Sequence, residues 1–103
     1  MNPFEEFKKL SEMKVKSQQL QQDIENLTAT GSAGGRMVNI TLNGKMQMTD
    51  IQIDPICVDS RDVQMLQDLI IAAHNSAASN LNDLIGAKTK QMIGDFNLSK
   101  LGL

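Results

Sequence analysis

The chain has 103 residues, room for one domain, and 41% of them are hydrophobic, a proportion that excludes an intrinsically disordered protein. Twelve acids face ten Lys and Arg, so the net charge of −2 excludes a uniformly basic nucleic-acid-binding domain. One Cys and one His exclude an internal disulfide, a cysteine-held metal cluster and a His pair for a metal.

Residues 3 to 27 contain no Gly and no Pro after Pro3, which is tolerated in a first helical turn. Leu10, Met13, Ser17, Leu20, Ile24 and Leu27 recur at alternating steps of three and four. That seam predicts one long helix built to meet another helix rather than a broad core. Lys9 and Lys16 flank one side of the seam and Lys14 the other. Helix propensity then collapses at TATGSAGGR. Thr28 to Thr30 predict a short edge strand, and Gly31, Gly34 and Gly35 a turn. No Lys-Ser/Thr follows these glycines, so they do not match a phosphate-binding loop.

RMVNITL, Asn43-Gly44 and KMQMTDIQI predict a hairpin closed by a two-residue type I′ turn. Such a turn pairs Leu42 with Lys45, Ile40 with Gln47 and Val38 with Thr49. One face then carries Val38, Ile40, Leu42, Ile51 and Ile53, which should meet the protein's own helix. The other carries polar residues together with Met37, Met46 and Met48, a candidate subunit contact.

Asp54-Pro55 should end the last strand, and Asp59 or Ser60 should cap a second helix. The stripe of that helix is Val63, Leu66, Ile70, Ala73, Ala77, Leu81 and Leu84. Gly86 is expected to end or bend it, with Lys88 and Lys90 just beyond. Residues 1–93 read as one domain and 94–103 as a flexible tail. The order is helix, two or three antiparallel strands, helix, an α+β chain.

No carboxylate pair stands near His or Cys at a catalytic spacing. His74 is expected at the edge of the second helix's buried face, Cys57 as a small apolar filler, and Asn75 in a polar contact. The longest apolar run, Leu69 to Ala73, is far short of the ~20 residues a membrane span requires. With no such span and no signal-peptide pattern at the start, the expected compartment is the cytoplasm. Linear charge sums do not locate a partner. Residues 1–27 hold four Lys against five acids, and residues 59–103 hold four basic residues against five acids.

MKVKSQQLQQDIENL, TGSAGGRMVNITLNG, IQIDP and LQDLIIAAHNSA, in this order, resemble the YbaB/EbfC family of nucleoid-associated proteins. The resemblance covers roughly residues 8 to 90. It implies an α-β-β-β-α subunit and a homodimer that joins through central sheets and extends long helices like tweezers. It also implies a protein that binds double-stranded DNA with low sequence specificity and organises the nucleoid or modulates transcription. No enzyme activity, cofactor, metal or membrane is implied. The residues expected to contact DNA are Lys9, Lys14, Lys16, Lys88 and Lys90. The alternative reading is an accessory factor that meets replication or recombination proteins through its helices.

Overall fold

A computed structural model describes residues 2–101. Asn2 starts α1 (Pro3–Glu25), its side-chain Oδ1 accepting from the Phe4 N–H at 2.8 Å. Three strands follow, β1 (Thr28–Ala33), β2 (Val38–Asn43) and β3 (Met48–Ile53), antiparallel and in that spatial order. Pro55–Cys57 form one 3-10 turn, and α2 runs from Val63 to Leu101. The α-β-β-β-α order agrees with the sequence reading.

The core lies where α2 crosses β1 and β2. Ala29, Val38, Ile40, Leu42, Cys57, Ala73, Ala77 and Leu81 are buried there. His74 is half-buried between Ala73 and Ala77, at the edge of that face. Small residues permit the crossing. A Cβ on Gly31 would run into the α2 backbone, with the Ala77 Cα only 2.7 Å away. Gly31 therefore belongs to β1, which is three residues longer than predicted, and not to the turn.

The hairpin differs from the sequence reading. Asn43 and Gly44 lack positive φ; Met46 has it, at 63°. The Asn43 N–H donates to the Gln47 carbonyl, and the Met46 N–H donates to the Asn43 carbonyl. This is a three-residue loop, in which one left-handed residue follows an ordinary turn. The Asn43 side chain decides the outcome. Its Oδ1 accepts from the Lys45 N–H at 2.9 Å and the Gln47 N–H at 3.1 Å, which draws the backbone into an Asx turn.

A bulge follows, because Thr41 pairs with Asp50 while Leu42 pairs with Met48. Ile40 then faces Ile51 and Val38 faces Ile53, rather than the predicted partners. The expected methionine face does not form. Met48 comes level with Leu42, Met46 sits in the loop, and Met37 packs against the core. The opposite face is polar, with the Thr30 and Thr41 hydroxyls 3.2 Å apart and Ser32 donating to Asn39.

Two helix boundaries also differ. Asp62, not Asp59 or Ser60, caps α2, accepting from the Met65 N–H at 3.1 Å. Asp59 is instead engaged by Arg61, whose side chain and backbone N–H hold the Asp59 carboxyl below its usual range. Gly86 does not end α2, since helix continues on both sides of it. Helical backbone also continues from Gly94 to Leu101, where the sequence suggested a tail; Gly102 and Leu103 lie outside the described residues.

Candidate nucleic-acid interface

The molecule measures 73 × 22 × 15 Å with a radius of gyration of 20.4 Å. A compact chain of this length would have a radius of about 13 Å. The excess is an arm in which α1 and the second half of α2 run antiparallel. Met13, Lys16, Ser17 and Leu20 of α1 form a shallow groove with Met92 and Ile93 of α2. Nearer the sheet, Lys88 Nζ lies 3.6 Å from Asp23 Oδ2. Leu10, although on the seam, is 65% exposed. No residue of α1 is buried.

This geometry sorts the charges. The arm, residues 8–23 of α1 and 84–94 of α2, carries Lys8, Lys9, Lys14, Lys16, Lys88 and Lys90 against two acids, Glu12 and Asp23, with Asp95 one residue further along α2. The head, residues 24–83, carries Arg36, Lys45 and Arg61 against seven acids. Glu5 and Glu6 stand at the outer tip, where they favour the N-terminus of α1. Linear sums hide this partition because they count Glu25 with the lysines of α1, and Asp59, Asp62, Asp68 and Asp83 with those of α2, whereas all five acids lie in the head.

The five predicted lysines are therefore brought onto one arm, but they are not equivalent. Lys14 and Lys90 are exposed on α1 and α2, respectively. Lys9 and Lys16 are seven residues apart, two helical turns, and share the same side of α1. Lys88 is half-buried and committed to Asp23, so it braces the two helices. Lys8, outside the five predicted lysines, lines a shallow groove of α1 with Ser11, Glu12, Val15 and Lys16, a placement that helical periodicity alone gives. Lysine ammonium groups on long stems neutralise phosphates without reading base edges.

The sheet has two different edges. On β1 the Thr30 carbonyl accepts from the Asn80 side chain at 2.9 Å, so α2 blocks that edge. Asn75, five residues earlier on α2, is exposed. On β3 every residue is exposed, including Met48, Ile51 and Ile53 on the aliphatic side. The expectation that Ile51 and Ile53 meet the protein's own helix is not met, because α2 packs over β1 and β2. An apolar strand edge of this kind pairs readily with another strand.

Among the described residues no group of three or more His, Cys, Asp or Glu is placed to hold a metal ion. Among them also, no helix is long and apolar enough to cross a membrane.

A family model described as the YbaB/EbfC DNA-binding family matches residues 1–96. A nucleoid-associated protein of Bartonella tribocorum is 46% identical over 85 residues, covering 82% of this chain and 79% of the relative. One of Granulibacter bethesdensis is 38% identical over 91 residues, covering 88% and 85%. In structure, the chain is similar to an uncharacterized protein, HP0035, from Helicobacter pylori. The TM-score is 0.72 at 24% identity, over 90% of this chain and 98% of that one, a likeness of fold.

Proposed function

Because this chain belongs to the YbaB/EbfC DNA-binding family, we propose that it binds double-stranded DNA through its lysine-bearing arm, with low sequence specificity. The family is one of DNA-binding proteins and not of enzymes. The observation that carries the reading is the charge partition, six lysines against Glu12 and the Lys88-paired Asp23 on the arm and an acidic head behind it. That arrangement turns a chain of net charge −2 into one with a single attractive surface for phosphate. It also gives low specificity a cause, since lysine contacts to phosphate carry no base information.

In this reading the working unit is a homodimer. The open β3 edge, with Met48, Ile51 and Ile53 exposed beside it, supports pairing with the same edge of a second copy. Two heads joined there hold two arms for one duplex. The relatives' names, nucleoid-associated protein, support a place on the cytoplasmic nucleoid, with organisation of DNA or modulation of transcription as its consequence.

A gel-shift titration with random duplex DNA at several salt concentrations tests the proposal. Affinity should fall steeply with salt, by a slope of about 0.9 per phosphate contact, and equally for unrelated sequences. Binding that ignores salt would transfer the role to a protein partner, such as a replication or recombination factor.

A further inference from the structure

Lys45 belongs by sequence to the acidic head, yet the fold turns it toward the arm. The loop after β2 rides on the last turn of α1, where a Cβ on Gly44 would overlap the Ile24 carbonyl oxygen. The Asn43 Oδ1 accepts from the Lys45 N–H at 2.9 Å, which fixes the next residue of the loop. Lys45 thereby lines a shallow groove with Ser17, Gln21 and Glu25 of α1. Lys14, Ser17 and Gln21 follow one another at steps of three and four, so they share one side of the helix and lead into that groove. Lys45 is exposed and, among the described residues, makes no ion pair. Glu25, the one acid of the groove, is half-buried, so the cation is the more exposed of the two. Ser17 and Gln21 are exposed and add uncharged donors.

We propose that Lys45 is a further phosphate contact, and that the Lys14 side of α1 continues through Ser17 and Gln21 onto the hairpin loop as one track for a strand of duplex DNA. The inference rests on the reading that the arm binds DNA, and it fixes which flank of α1 a strand follows into the head. From Lys14 to Gln21 is two helical turns, about 11 Å. A strand of B-DNA rises about 3.4 Å per phosphate, so Lys14 and Lys45 stand about three phosphates apart and neutralise separate ones. Ser17 and Gln21 donate hydrogen bonds to the phosphate oxygens between them. None of these groups reads a base edge, so the added affinity comes without specificity.

A purely structural role for Lys45 makes a different prediction. The last turn of α1 holds no basic residue, and a cation beside its final carbonyls stabilises a helix. Losing that cation would lower stability and leave the salt dependence of DNA binding at the parent value. Losing a phosphate contact changes the salt dependence itself.

The test measures affinity against salt for Lys45→Ala, Lys45→Arg and Lys14→Ala/Lys45→Ala on two unrelated duplexes, with urea midpoints alongside. Lys45→Ala should lower the salt slope by about 0.9 and weaken binding about eightfold at 0.1 M salt, on both duplexes. Lys45→Arg keeps the charge and should stay near the parent. The double variant should lose about 1.8 in slope, because the two lysines hold separate phosphates. A parent-like slope for Lys45→Ala overturns the proposal, whether or not stability falls, and leaves Lys45 as a prop for the end of α1. If Lys14→Ala/Lys16→Ala lowers the slope while Lys45→Ala does not, the arm still binds DNA and this inference alone fails. If neither variant changes it, the reading of the arm fails as well.

Discussion

Lys88 on α2 points across the arm to Asp23 near the end of α1, Nζ to Oδ2 at 3.6 Å, both side chains about a third exposed. It is the described ion pair that ties the two long helices together, and it removes one lysine from the set available to phosphate. An exposed pair of this kind contributes about 0.2–1 kcal/mol, so its effect on DNA exceeds its effect on folding.

Asp23→Asn should therefore strengthen binding to duplex DNA. The freed Lys88 adds up to one phosphate contact, raising the salt slope by about 0.9. The melting temperature should change little. Unchanged affinity and slope in a salt series would show that Lys88 does not reach DNA even when released.

Lys14→Ala/Lys16→Ala and Lys90→Ala should each weaken binding about equally on two unrelated duplexes. The salt slope should fall by about 0.9 for every phosphate that is no longer neutralised. Arg61→Ala, on the acidic head, is the control and should leave both quantities at the parent value. The reverse pattern would move the interface from the arm to the head.

Gly44 and Gly35 should respond to alanine for different reasons. Gly44 has ordinary φ, but an added Cβ would overlap the Ile24 carbonyl oxygen at the end of α1. Gly44→Ala should destabilise by more than about 2 kcal/mol, by forcing helix and loop apart. Gly35 faces open space at φ 65°, so Gly35→Ala should cost about 1 kcal/mol from backbone strain alone. Urea titrations that rank the two variants in the opposite order would refute the close approach of α1 to the loop.

Asn43→Ala should cost about 1–2 kcal/mol, because it removes the acceptor that holds the Lys45 and Gln47 N–H groups. Asn43→Asp keeps that acceptor and gives up only the bond from Nδ2 to the Gln47 side chain. It should recover most of the stability at neutral pH. Equal destabilisation by the two variants in thermal melts would remove the Asx turn as the cause of the loop.

Ile51→Glu should reduce the native mass in sedimentation to that of one chain, with helical circular dichroism retained. A charge there opposes pairing along β3 without entering the core, since Ile51 is 40% exposed. A variant that keeps the parent's mass would place the subunit contact elsewhere.

The order of elements was legible in the residues because its signals are local. The seam from Leu10 to Leu27, the alternation through Val38, Ile40 and Leu42, and Pro55 after β3 each act within a few residues of chain. The family resemblance was legible for the same reason, as ordered motifs. Asn43-Gly44 misled because a side-chain acceptor competed with the backbone turn, and Gly44 served the close approach of Ile24 rather than a left-handed φ. Gly86 misled because a glycine inside a long helix weakens it without stopping it. What tertiary structure alone decided was the company of the charges and the edges of the sheet. Folding sets Glu25 beside the acidic head, brings Lys88 across the arm to Asp23 and lays Lys16 beside Met92 and Ile93. It also commits Asn80 to the β1 edge and leaves β3 open. Electrostatic attraction and strand pairing depend on distance in space, which no count along the chain contains.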